Sequence, residues 1–178
     1  RMREAVRAIE LSVVIDVAMT ETAAQADYVL TASSQFEKAE ATFFNVEFPR
    51  NGFHLRQPLF APRPGTLAEA EIHARLVESL GELDEGQYRF LRRAARLGRT
   101  AFGLAFAWKA SRDKRIARYA PVVLYRTLGE TLPTGFAPAA SLWGLSQMFV
   151  RKNRDAAARA GFGGSVLAAG NKLFDAII

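Results

Sequence analysis

Asp16 and Thr20 are the residues of this chain whose types and spacing best suit ligand chemistry. Asp16 closes a short apolar, β-branched run, and Thr20 follows four residues later, where a helix can begin. In a parallel sheet, ligands bind beyond the carboxyl ends of the strands. A carboxylate placed there can accept two N–H bonds from a guanine edge, or bond a ribose. A hydroxyl at the start of the next helix can reach the same ligand, and that helix end favours phosphate. The spacing equally suits an Asp that merely starts the helix, so both readings stand at this point.

Other reactive side chains form weaker patterns. His54 and His73 are far apart in sequence, and there is no cysteine to join them. A metal centre needs three or four ligands in one place, so no metal site is expected. Ser33 and Ser34 follow a strand but lack the Gly-x-Ser-x-Gly turn of an activated serine. Glu37 and Glu40 would be neighbours only if that stretch were helical, and paired carboxylates in a loop are mostly solvated. Gly161, Gly163 and Gly164 match neither phosphate-loop pattern and read as a helix boundary. No catalytic residue is expected in this chain.

The elements that must position Asp16 and Thr20 can be read from periodicity. Residues 1–10 read as the end of a helix, with Val6 and Ile9 able to face a core. Residues 11–15 read as a buried strand. Thr20 can cap a short helix through Ala26, with Glu21 in its first turn. Tyr28, Val29 and Leu30 suggest a second strand, and a strand–helix–strand rhythm argues for a parallel sheet. Residues 31–65 are broken by Pro49, Pro58, Pro62 and Pro64, with short strands possible at 43–46 or 53–55. Leu67, Ile72, Leu76, Val77 and Leu80 give a helix over 66–80, ended by Gly81. Beyond residue 84 the pattern is helical. Phe90, Ala94, Leu97, Ala101, Leu104 and Trp108 recur every three or four residues, with Arg89, Arg92, Arg93, Arg96 and Arg99 mostly on the other side. Further helices are expected over 142–160 and 166–178. The fold class expected is therefore α/β: a partial Rossmann-like parallel sheet with flanking helices over 1–83, then a mainly helical basic segment over 84–178.

Composition supports a globular chain with a core of reasonable size: 178 residues, 49% hydrophobic and 24% charged. Its charge is uneven. Residues 1–83 hold eight basic and twelve acidic residues, a net of −4, whereas 84–178 hold sixteen and six, a net of +10. A basic half suits an acidic protein surface or an anionic membrane, with a solvated face as the plain alternative. No recognised nucleic-acid motif accompanies the charge, so nucleic acid is not an expected partner. The uncharged stretch 131–150 is interrupted by Pro133, Gly135, Pro138 and Gly144, so no transmembrane segment is expected.

The surroundings of Asp16 carry a resemblance. The stretch VVIDVAMTETAAQADYVLTASSQFEKAEATFFNVE, residues 13–47, resembles the molybdopterin oxidoreductase family, the group of dimethyl sulfoxide reductase, formate dehydrogenase and nitrate reductase. The matching elements are Asp16, then Thr20, Glu21, Thr22 and Ala23, then Ala26 and Asp27, Leu30, Glu37 and Lys38, Thr42, Asn45 and Glu47. Pro62, Gly65, Glu71 and Ile72 continue it, and it covers roughly residues 5–82. Ile15, Thr31 and Ala41 stand where the family usually has Gln, Pro and Gly, and residues 48–53 replace an Arg-rich tail.

The resemblance implies a cofactor-binding section of a molybdopterin-dependent oxidoreductase, performing two-electron or oxygen-atom transfer. Asp16 and Thr20 would contact the guanine-nucleotide end of the bis(molybdopterin guanine dinucleotide) molybdenum cofactor. Glu37, Thr42 and Asn45 would shape the adjoining loop. The molybdenum ligand and any iron–sulfur cluster would lie upstream, and residues 173–177 resemble the lead-in to a second cofactor domain. The partner implied is the rest of the same enzyme, and the isolated chain would do no redox chemistry. The alternative reading is a non-catalytic module whose basic amphipathic helices dock on an acidic partner or anionic membrane surface.

Overall fold

A computed structural model of the chain describes residues 1–42 and 52–178. It is a mixed α/β structure with a helical C-terminal part. After α1 (Met2–Arg7), β1 (Val13–Asp16) runs parallel to β2 (Tyr28–Thr31), with Val13 opposite Tyr28 and Asp16 opposite Thr31. The β-branched run Val13, Val14 and Ile15 suits a pleated, half-covered surface. Its burial is only partial, because Val13 is exposed and Ile9, expected to face a core, is exposed as well.

The return from β1 to β2 takes residues 17–27. So short a crossover leaves room for a single 3-10 turn, Ala23–Gln25, in place of the helix expected over 20–26. The N-cap position falls to Thr22, whose side chain makes no cap bond, and not to Thr20 as expected; the Thr20 Oγ1 accepts from the Ala23 N–H at 3.2 Å from two residues further out. Beyond β2 the chain pairs again. Ser33 N–H donates to Leu67 O at 2.8 Å, Leu67 N–H donates to Thr31 O at 3.2 Å, and Ala32 bridges Leu67 in parallel. That pairing occupies the residues expected to open the helix, so α2 spans Glu69–Ser79 rather than 66–80. Gly81, at φ 71°, adopts the left-handed geometry that ends it.

A small antiparallel pair joins β3 (Glu40–Thr42) to β4 (His54–Arg56). The possible strand at 53–55 is thus found shifted by one residue; the one at 43–46, with Asn45, lies outside the described residues.

The rest is helical: α3 (Glu85–Arg96), α4 (Arg99–Arg112), α5 (Lys114–Arg118), α6 (Ala120–Arg126), α7 (Ser141–Lys152), α8 (Arg154–Arg159) and α9 (Val166–Ile177). Asp84 caps α3 by accepting from Gly86 N–H, while Gln87 returns a bond to the Asp84 N–H. Gly98, at φ 108°, reverses the chain between α3 and α4. The core beneath them holds Leu91, Phe102, Ile116, Val123, Leu128 and Phe174, each fully buried. Trp143 packs edge-on to Phe102 and Phe106, with ring centroids 5.2 and 5.7 Å away. The helix expected over 142–160 is two, divided at Asn153. No helix among the described residues is long and apolar enough to cross a membrane.

Gly129 sits in a buried 3-10 turn against a second such turn, Ala137–Ala140. A Cβ there would meet the Ala137 backbone oxygen at 2.8 Å. Backbone cannot swing aside as a side chain can, so Gly129→Ala should cost about 1–3 kcal/mol, read from urea unfolding.

One polar network fastens α2 to α6. Arg126 Nη1 donates to Glu71 Oε2 at 2.6 Å, and its Nε to Glu78 Oε1 at 2.8 Å. Tyr125 donates to Glu71 at 2.9 Å and Tyr88 to Glu78 at 3.1 Å. Burial and the Glu71 carboxylate push the Tyr125 phenol up to about 12. Burial pushes the Glu71 carboxyl up, but hydrogen bonds from Arg75, Arg126 and Tyr125 outweigh it and hold it below its ordinary 4.5. A lowered carboxyl stabilises the fold above its unfolded value and loses that contribution as pH falls through the folded one. The Tm of wild type should therefore exceed that of Glu71→Gln at neutral pH, and the two should converge as the pH drops below 4.5.

Candidate ligand site at the strand ends

The carboxyl ends of β1 and β2 open onto a cleft of about 580 Å³. Val17, Ala32, Ser34, Phe36, Glu37, Phe60, Ala61, Arg63 and Thr66 line it. Parallel strands deliver the chain to one edge, where the segments leaving them diverge and leave a crevice.

Asp16 stands at this edge, half-buried, one residue before the cleft wall at Val17. Its Oδ2 accepts from the Thr20 hydroxyl at 2.8 Å, and its Oδ1 from Val17 N–H at 2.7 Å and Ala18 N–H at 3.4 Å. The Thr20 hydroxyl first, then these amides, hold the Asp16 carboxyl below its ordinary value. The group is a fixed anion that can still accept further bonds, because each carboxylate oxygen has two lone pairs. Sequence left two roles open for Asp16. The structure brings Asp16 and Thr20 together in one hydrogen-bonded turn at the strand end, with the Thr20 Oγ1 also accepting from the Ala23 N–H.

Glu37 and Glu40 do not form a pair. Glu37 is 9% exposed, and its Oε2 accepts from Ser34 N–H at 2.8 Å. That amide first, with the Arg63 guanidinium 3.9 Å away among the lesser causes, holds its carboxyl low. Glu40 lies on β3, where Lys38 reaches both it and Glu69. Glu37 therefore braces the loop after β2 and forms part of the cleft wall. Ser33 is buried against Thr66 at 3.1 Å, whereas Ser34 faces the cleft. Thr42 is exposed on β3. His54 lies on β4, and His73 Nδ1 is 2.7 Å from the Glu69 backbone oxygen one turn earlier on α2. Among the described residues no cluster of His, Asp or Glu could hold a metal ion. Gly161, Gly163 and Gly164 lie in the turn between α8 and α9, as expected of a helix boundary.

Three residues of this edge were not singled out by motif reasoning. Arg63 extends at the cleft rim with its side chain 87% exposed. Phe36 and Phe60 present exposed rings along the wall. Arg56 lies over the Phe36 ring at 5.3 Å and donates to Gln35 O at 2.7 Å. The signal for Arg63 was its place between Pro62 and Pro64, since the residue before a proline is confined to extended backbone. Taken together, the edge offers a fixed anion that can accept N–H bonds, aromatic faces for a planar ring, and a guanidinium suited to phosphate. No family model, no curated protein and no solved structure matches the chain.

Proposed function

We propose that the α/β part of this chain holds the nucleotide end of a molybdopterin guanine dinucleotide cofactor, as a section of a molybdopterin-dependent oxidoreductase. The observation that carries the reading is the Asp16–Thr20 turn at the open end of a parallel strand pair, beside a nucleotide-sized cleft. The resemblance of residues 13–47 singled out the same two side chains.

The residues present fit the nucleotide end of such a group. Asp16, held ionised, accepts from the N1–H and amino group of a guanine edge, a pairing that charge makes strong. Thr20 fixes the carboxylate and offers its hydroxyl to a ribose. Phe36 and Phe60 can flank a ring, and Arg63 can meet a phosphate. The bound cofactor supplies the redox chemistry; the chain supplies position and electrostatics. No described side chain is assigned to the metal.

The partner proposed is the remainder of the same enzyme. Parallel strands are ordinarily covered on both faces. Leu11, Val13, Val17 and Tyr28 are exposed in and beside this pair, an apolar area that a neighbouring segment would cover. The test is the molybdenum and pterin content of the purified full enzyme carrying Asp16→Ala. Content well below wild type is expected, and unchanged content contradicts the assignment.

A further inference from the structure

The four large side chains of the apolar stripe on α3 and α4 face outward, while Ala94 between them is buried. Phe90, Leu97, Leu104 and Trp108 are 46, 81, 63 and 50% exposed. The core of this hairpin is built from other positions: Tyr88, Leu91 and Ala95 on α3, and Phe102 and Ala105 on α4. Helical spacing puts Phe90 and Leu97 opposite that core face, and Leu104 and Trp108 opposite theirs. The reversal at Gly98 then lays the two outer rows side by side, with the Phe90 and Trp108 rings 5.5 Å apart. Large side chains seldom gather in water without a partner to cover them.

The charge of the same hairpin identifies that partner. Residues 86–112 carry seven Arg and Lys and no Asp or Glu. Three of these cations form ion pairs: Arg92 with Glu85 and Glu130, Arg96 with Glu130, and Arg99 with Asp175. Arg89 and Arg93 are exposed beside Phe90 and form no ion pair among the described residues. Arg112 lies over the Trp108 ring at 4.2 Å. Phe90, Leu97, Leu104 and Trp108 line none of five well-formed clefts among the described residues. A specific protein partner is read through well-packed pockets at the centre of an interface. Protruding aromatic and leucine side chains ringed by unpaired arginines suit the boundary between headgroups and acyl chains.

We propose that the α3–α4 hairpin docks on an anionic lipid surface, with Leu97, Leu104, Phe90 and Trp108 entering the interface and Arg89, Arg93 and Arg112 meeting headgroups. This stands apart from the nucleotide reading, since it uses none of the residues around Asp16. It is peripheral docking, consistent with the absence of a spanning helix among the described residues.

The experiment is co-sedimentation of the chain with phosphatidylcholine vesicles that contain or lack phosphatidylserine, read together with tryptophan emission. Binding is expected only with phosphatidylserine, to weaken at high salt, and to shift emission to the blue. Trp108→Phe should abolish the shift, because the remaining Trp143 is buried. Arg89→Gln with Arg93→Gln should weaken partitioning roughly 20-fold. Leu97→Ser with Leu104→Ser should weaken it as well; both sites are exposed, and circular dichroism will show whether the fold persists. Arg154→Gln with Arg159→Gln on α8 removes the same charge elsewhere. An equal loss in that control would overturn the assignment to the hairpin. So would an absence of sedimentation with phosphatidylserine vesicles at low salt. Equal binding to soluble polyglutamate with no emission shift would overturn it in favour of an acidic protein partner.

Discussion

If this chain holds a guanine nucleotide as proposed, Asp16→Asn in the full enzyme is expected to lower cofactor retention about a hundredfold while leaving the Tm within a degree or two of wild type. The substitution separates two roles that one turn combines. Asn supports an Asx turn as well as Asp does, so the bonds from Val17 and Ala18 survive it. A guanine edge offers two donors side by side and needs two acceptors. The Asn amide supplies one acceptor and turns a donor toward the other position. Hydrogen bonds to a charged group contribute about 1.5–3 kcal/mol each, so losing one and opposing another costs about 3 kcal/mol. Thermal melting and cofactor analysis on one preparation provide the check. Retained cofactor with an unchanged Tm would make Asp16 a structural brace only.

The second large effect concerns stability. Arg126→Ala should cost about 3 kcal/mol and lower the Tm by roughly 10 °C. Arg126 is 20% exposed and holds Glu71 and Glu78, which are 17 and 29% exposed. Its removal leaves two half-buried carboxylates on α2 without their shared cation. Much of the cost is that stranded charge, not the worth of the pairs. The triple change Arg126→Ala, Glu71→Gln and Glu78→Gln should accordingly be milder than Arg126→Ala alone. A loss below about 1 kcal/mol for the single change would mean that the pairs behave as solvated surface bridges.

How far the sequence foretold this structure depended on whether one local pattern had a single tertiary solution. Strands were legible at 11–15 and 28–30, within two residues of where β1 and β2 lie, because β-branched runs between polar breaks have few other uses. Their parallel pairing followed from the intervening turn. The start of α2 was not legible, because Leu67 fits a helical face and is instead claimed by a backbone partner 35 residues earlier in Ala32. Which way the stripe from Phe90 to Trp108 faces was not legible. Periodicity located it correctly, but α3 and α4 each carry two apolar faces, and only tertiary packing decides which is buried. The winning face contains Leu91 and Phe102, while Arg92 and Arg99, expected on the solvent side, are tied inward by carboxylates.

The candidate site was legible in part for a related reason. Asp16 and Thr20 are four residues apart, so local geometry alone brings them together. Glu37, Arg63 and Phe60 reach the same cleft only through folding of the segment between β2 and α2, which leaves no periodic trace. Glu37 and Glu40 failed as a pair because Glu37 turns back to the Ser34 amide while Glu40 enters a strand.

Whether this strand edge selects a guanine nucleotide can be read most directly by amide NMR while the chain is titrated with GDP, set against ADP. Selective shifts at Val17, Ala18, Ala32 and Ser34 with GDP, and weaker ones with ADP, are expected. Identical responses to both nucleotides, or shifts confined to residues away from the ends of β1 and β2, would contradict the assignment of Asp16 to a guanine edge.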